Sequence, residues 1–417
     1  MLASLLLAAA WPQQDVTPPP GPEVVAEARE LQPEDPGPVQ PAALASSDNP
    51  WELRSADGSI SLRLQGKIDM DWAFFDAEEG LESATGDWSN GAELRRARLG
   101  VAGEIGSWAN YRFNGDLADG EVRDAYVDLR GVLAGGTLRI GHFREPIGLS
   151  NQTPVHNHSF LERPLANALF PSRNLGVAWR TSFDEDRGSY HLGLFRETDR
   201  DGSSVDGTGG NELALTTRLT YLPIDRHGGE EILHVGGSFS WRNPDDGMVA
   251  YDGGAGTTIG PDLIATGAVS AEEVFLFGFE SAWIQGANSF LFEYTYAGFD
   301  RPGGVNPGMK GWVAEARRMI TGEVRRYKKG RAALWTVTPA ADFDPQGDGM
   351  GAFEVAFRAS RLDLEDEGVS GGDGLNLAVA WNWYLNRYLR FQTNFVRADR
   401  DDVGDVHALL FRFHFRF

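Results

Sequence analysis

The residues with chemical reach in this sequence are its arginines and lysines, and two segments concentrate them. Arg95, Arg96 and Arg98 lie within four residues of one another, and Arg325, Arg326, Lys328 and Lys329 within five. A guanidinium fork matches two oxygens of a phosphate or carboxylate at once, and a lysine supplies a compact positive charge. Such groups bind or conduct anions. The sequence contains no H-E-x-x-H, G-x-x-x-x-G-K-[ST] or G-x-G-x-x-G motif, so the local signatures of zinc peptidases and nucleotide-binding proteins are missing. Cysteine is absent, which removes disulfides, thiolate nucleophiles and Cys-ligated metals. Asp342, Asp344, Gln346 and Asp348 approach a calcium loop, but Phe353 stands where its closing Glu is needed. That segment reads as an acidic turn. Neither a cofactor nor an enzymatic activity is expected.

The basic residues sit in a strongly periodic frame. Ile60, Leu62, Leu64, Ile68, Met70, Trp72 and Phe74 alternate with Ser61, Arg63, Gln65, Lys67, Asp69 and Asp71. Period two over that length describes a single strand with one apolar and one polar face, far longer than the ~5–6 residues usual in soluble sheets. The alternation recurs around Arg180, Arg218 and Arg242, each on the polar face. A face of small and basic residues suits a water-filled lumen. Sixteen segments follow this pattern, the first at 59–75 and the last at 405–417. Tight turns such as 106–107 and 386–387 alternate with long loops at 76–91, 145–172, 199–211, 243–271 and 363–373. An even strand number with this asymmetry is what a closed membrane barrel requires. Segment 323–350 departs from it, being long where a tight turn is due; its basic run reads either as a solvated patch or as an inward-folded anion funnel. The final strand carries Phe411, Phe413, Phe415 and Phe417, a row that would be an aggregation hazard on a soluble sheet edge.

Composition agrees with strands rather than helices. No run approaches the ~20 apolar residues of a spanning helix, whereas 51 Gly, 24 Phe and 12 Trp suit turns and interfacial girdles. Residues 1–50 carry seven acids against Arg29 alone and further acids crowd loops such as 363–367, so at a net charge of -22 a lumen can still be basic inside an acidic shell. No nucleic-acid partner is expected. Residues 1–10 read as a truncated secretory signal. Residues 11–58 form a Pro- and acid-rich linker with one short helix over 23–31, and 59–417 form the barrel.

Several segments carry a family resemblance: ELRRARLGVAGEIG (93–106), LRIGHFREPIGL (138–149), FLERPLANALFPSRNLGVAW (160–179) and GWVAEARRMITGEVRRYKKG (311–330). The chain resembles the phosphate-selective porin O and P family. The resemblance implies a sixteen-stranded outer-membrane barrel, usually trimeric, narrowed by inward-folded loops and lined by arginines and lysines that conduct anions. The Arg-Arg pair opening the family's second strand matches Arg95 and Arg96. Parity places Arg96 and Arg98 in the lumen, and Arg95 there only if the strand is irregular. It also selects Arg63, Lys67, Arg112, Arg180, Arg218 and Arg242. Asp116, beside Arg112, either orients a protonated phosphate or balances charge. Loop 145–172 matches the family's constriction loop and includes Glu162, Arg163, Arg173 and Asn174. Phosphate-selective members carry Ser and Lys here, whereas this chain has Ser150, Thr153, Ser159, His156 and His158 but no lysine.

The expectation is an all-β transmembrane antiparallel barrel of about sixteen strands with an inward-folded constriction loop. Small anions, phosphate or polyphosphate, would pass along Arg95, Arg96, Arg98, Arg112, Asp116, Arg163, Arg173, Arg180, Arg218, Arg326 and Lys328. The partners expected are outer-membrane lipid, lipopolysaccharide and two further copies of the chain. A general-diffusion porin and a plugged structural or adhesive barrel remain open as alternatives.

Overall fold

The computed structural model describes residues 43–44, 51–198, 213–244 and 247–417. The expected signal, the expected helix over 23–31 and most of the linker lie outside the described residues. Period-two alternation produces sixteen long strands. They are β1 (Ile60–Ala77), β2 (Gly91–Ile105), β3 (Ala109–Asp116), β4 (Glu121–Val132), β5 (Gly136–Arg144) and β6 (Arg173–Phe183). There follow β7 (Gly188–Arg196), β8 (Leu213–Arg226), β9 (Glu231–Asn243), β10 (Glu273–Gln285) and β11 (Asn288–Asp300). The set ends with β12 (Gly308–Met319), β13 (Ala352–Asp366), β14 (Val369–Tyr384), β15 (Leu389–Arg400) and β16 (Gly404–Arg416). Each pairs antiparallel with its neighbours, and β16 returns to β1 from Val406↔Ala77 to Arg416↔Lys67. The sheet closes, which removes its edges.

The side chains obey the alternation. In β11, Phe290, Phe292, Tyr294 and Tyr296 are exposed while Leu291, Glu293, Thr295 and Ala297 are buried. Aromatic and aliphatic groups therefore cover the outer wall, and polar or small groups point inward. Where a turn must be tightest, glycine permits it: Gly286 links β10 to β11 with φ 53°, a left-handed conformation that costs side chains more.

Two boundaries differ from expectation. The loop expected at 363–373 is mostly ladder, because β13 and β14 stay paired out to Asp366↔Val369. Beyond the apolar band both faces of a hairpin meet water, so the alternation that marks a strand fades there. Residues 52–54, expected in the linker, form a short strand on Ser61–Arg63, continuing the wall where β16 stops.

Inserted segments fill part of the interior. Loop 145–172 enters the barrel with helix α1 (Leu149–Gln152) and two 3₁₀ turns, and its Ile147, Phe160, Leu161, Leu165 and Leu169 are buried. They pack on wall residues including Leu362, Ala380, Ala398 and Leu410. Polar wall groups hold the loop's backbone: Asn394 Oδ1 accepts from Leu161 N at 2.8 Å, and Glu293 accepts from Ser150 N at 3.0 Å. From the opposite end, segment 320–351 also turns inward. Its Tyr327–Lys328 pairs with Ala333–Leu334, and Leu334 joins Leu149, Leu222 and Ile232 in a second apolar cluster. Residues 247–272 fold over the mouth, burying Leu263 and Ile264.

Candidate anion pathway

The arginine-rich start of β2 is irregular. Asp69 of β1 pairs with Arg96 but Met70 pairs with Leu94, so Arg95 is an extra residue in the ladder. Such a bulge bends the strand and re-aims a side chain. Here it lets two adjacent arginines reach one interior carboxylate. Arg95 Nε lies 3.1 Å from Glu162 Oε1, and Arg96 Nη2 lies 2.8 Å from the same atom. Arg96 also donates through Nη1 to Asp69 at 3.1 Å, and Arg412 of β16 donates through Nη2 to Glu162 at 2.8 Å. Burial pushes the Glu162 carboxyl up, but Arg96, Arg95 and Arg412 outweigh it and hold the group well below the usual carboxylate range.

Pairing continues along the wall. Arg98 Nε donates to Asp116 at 2.6 Å, Arg173 to Asp124 at 2.8 Å and Arg180 to Asp128 at 3.1 Å. Asp116 is buried and also accepts from Ala97 N at 2.9 Å, so it balances the Arg98 charge with its oxygens already engaged. Arg173 sits at the hinge where loop 145–172 re-enters the wall. Arg163 spends its donors on that loop's own carbonyls, those of Ser150 and Thr153.

Arg218 does not reach the lumen. It is 0 % exposed, donates through Nε to Glu280 at 3.0 Å, and is capped by the Ala332 carbonyl at 2.8 Å. Segment 320–351 covers it, a contact that strand parity alone contains no information about. Arg242 is likewise buried on Glu145 at 3.0 Å. Arg96 itself is only 3 % exposed, against the expectation of a water-facing side chain.

A second group has no such partner. Lys67, Arg112, Arg326 and Lys328 make no ion pair among the described residues. Lys328 lies 4.7 Å from the centre of the Trp335 ring and Arg331 lies 5.5 Å from it. Arg144 has only Asn151. These cations, with Arg63, stand on the β1–β6 side and on the inserted segment 320–351, and are half-buried or exposed. In loop 145–172 His158 is buried and His156 half-buried; desolvation, with Arg416 near His156 and Arg163 near His158, holds both well below the ordinary histidine value.

Sequence reasoning missed the acids that match the arginines, among them Asp124, Asp128, Glu145 and Glu280, and it missed Arg331 and Arg412. The signal for Arg412 was present, since it stands between the outward rings of Phe411 and Phe413. The G-x-S-x-G spelling at Gly368–Gly372 lies at the β13–β14 turn, whereas a nucleophile elbow joins a strand to a helix. Among the described residues no His, Asp and Glu group is arranged to hold a metal.

A family model described as phosphate-selective porin O and P matches residues 62–417. The chain belongs to this family. Porin O of Pseudomonas aeruginosa is 24% identical over 398 residues, which span 84% of this chain and 86% of that one. An uncharacterised protein of Caulobacter vibrioides is 29% identical over 376 residues, 86% of this chain and 73% of that one. The anion-selective porin from Comamonas acidovorans superposes with TM-score 0.54 at 12% identity, over 86% of this chain and all 100% of that one. The outer-membrane channel DcaP of Acinetobacter baumannii gives 0.52 at 11%, over 87% and 99%. As a member of the porin O and P family with this barrel, the protein is an outer-membrane porin of a bacterium.

Proposed function

We propose that this porin passes small anions, with phosphate among them, along the β1–β6 side of the lumen. The observation that carries the reading is the set of cations without carboxylate partners among the described residues: Lys67, Arg112, Arg144, Arg326, Lys328 and Arg331. An anion entering a narrow pore loses water, and fixed positive charges with free donors replace what it loses. Arg98, Arg173 and Arg180 border the path and give it shape, while Asp116, Asp124 and Asp128 cancel much of their charge. The net charge of -22 does not oppose this reading, since many acids lie beyond the lumen on the linker and loops.

A second reading, a general anion pore without phosphate preference, is favoured by that same cancellation and by the absence of lysine between Ser150 and Phe160. Assembly as a homotrimer accompanies both readings, since OmpT of Vibrio cholerae, a structural neighbour at TM-score 0.52, has a trimer form. The test is the reversal potential across a planar bilayer in a chloride gradient, followed by titration with inorganic phosphate. Anion preference with phosphate block supports the first reading, and anion preference without block supports the second. Cation preference sinks both.

A further inference from the structure

Three guanidinium groups converge on Glu162 from the two strands that flank β1. Arg95 and Arg96 come from the bulge in β2, and Arg412 comes from β16. Arg96 Nη2 lies 2.8 Å from Oε1 and 2.9 Å from Oε2, while Arg95 Nε and Arg412 Nη2 reach Oε1 at 3.1 and 2.8 Å. This is the donor geometry that an oxyanion needs, with several charge-assisted forks meeting at one pair of oxygens. The guanidinium groups are also aimed from behind. Asp69 accepts from Arg96 Nη1 at 3.1 Å and Asp71 accepts from Arg412 Nε at 2.6 Å. With the Glu162 side chain gone, Asp69, Asp71 and, at 3.9 Å from Arg95, Glu93 would still face the three arginines, but the N–H donors now spent on Glu162 would be left without an acceptor.

The carboxylate is not what seats the loop at this point. Leu161 N is held by Asn394, and the Glu162 carbonyl accepts from Arg358 Nη1 at 2.9 Å. Nor is the cluster sealed. Glu162 is 17 % exposed and Arg95 18 %, whereas Arg218 in its own ion pair is 0 % exposed. A passing solute can therefore reach it.

We propose that Arg95, Arg96 and Arg412 form an oxyanion-binding site whose built-in occupant is Glu162, a carboxylate that keeps passing anions from being held there. The ligand class is a monoanion with two or more oxygens on one centre, such as a small carboxylate or dihydrogen phosphate. The inference rests on the anion path proposed above and sharpens it. While Glu162 fills the cradle, anions meet only the unpaired cations and leave quickly; without it the pore gains a trap.

The test compares the wild-type protein with Glu162→Ala in planar bilayers and in thermal unfolding. Inorganic phosphate should block chloride current through the variant at a concentration at least about tenfold lower than through the wild type. Formate should raise the unfolding midpoint of the variant and leave that of the wild type unchanged. Should Glu162→Ala fail to assemble in chloride, assembly restored by formate supports the proposal, and failure in formate as well overturns it. Equal phosphate block in the two proteins, with equal responses to formate, also overturns it. The wild-type reversal potential speaks to the anion path, and the variant's response to formate speaks to the site, so either can fail without the other.

Discussion

On the wall from β8 to β13, Arg218, Arg242, Arg317 and Arg358 each meet a carboxylate inside a packed core of inserted loops. On the wall from β1 to β6, where Arg98, Arg173 and Arg180 are paired as well, Lys67 and Arg112 point from the same kind of strand position and make no ion pair among the described residues. Residue type and parity are alike on the two sides. What differs is the material in front of them. A buried cation is tolerated only with a partner, because its lost hydration is large, whereas a cation facing water needs none and keeps its field for a passing ion. One inward arginine is therefore mortar and another is pore lining, according to what folds over it.

The largest effect should come from the packed side. Arg218→Met leaves Glu280 buried with His234 alone, and loss of about 3–5 kcal/mol is expected for a broken buried pair. The barrel should unfold at a distinctly lower temperature on semi-native gels; an unaltered unfolding temperature would mean that Glu280 finds other company. Arg96→Ala comes next. Asp69 keeps His414, and Glu162 keeps Arg95 and Arg412, so a smaller cost of roughly 1–3 kcal/mol is expected from the hydrogen bonds left unmade. Heat resistance and current should both change, in contrast to the pure selectivity change expected of a water-facing arginine.

Lys67→Ala probes the open side. No ion pair is lost, so stability should stay within about 0.5 kcal/mol, while reversal potentials should shift toward cations and phosphate block should weaken by about 1 kcal/mol, roughly fivefold. A destabilised barrel with unchanged selectivity would reverse the comparison. The smallest effect concerns pH. His156 and His158 are held well below the ordinary histidine value in the fold, so burial disfavours their charged forms. Glu162 has a depressed value too, so its stabilisation is complete above the ordinary carboxylate value of about 4.3 and is lost only as pH falls through the lower folded one. Selectivity should stay flat between pH 8 and pH 5; a midpoint near pH 6.5 would return the histidines to the path.

The strands were legible because alternation with lipid on one side is a local signal. Trp72 and Asp71 announce their faces without reference to anything distant. The ladder beyond Asp363 was not legible, since water on both faces removes the contrast. Bulges are not legible either, and the difference between Arg95 pointing outward and Arg95 on Glu162 is one unpaired residue. The fate of Arg218 depends on Ala332, 114 positions away, and no pattern within β8 contains that contact. Family resemblance identified the constriction loop but not which of its groups would be spent on arginines.

The tethering of loop 145–172 has an electrical consequence. A narrow pore turns every fluctuation of its narrowest part into a fluctuation of current. Here the loop that enters the barrel is fixed along its length to the wall, by Ser150 on Glu293, Leu161 on Asn394, Asn382 on the Ser159 carbonyl and Arg358 on the Glu162 carbonyl. Displacing it requires several hydrogen bonds to break together in a water-poor interior. The open state should accordingly be quiet, with a steady level and little flicker, and the signal carried by the channel is the arrival of ions rather than the motion of the protein.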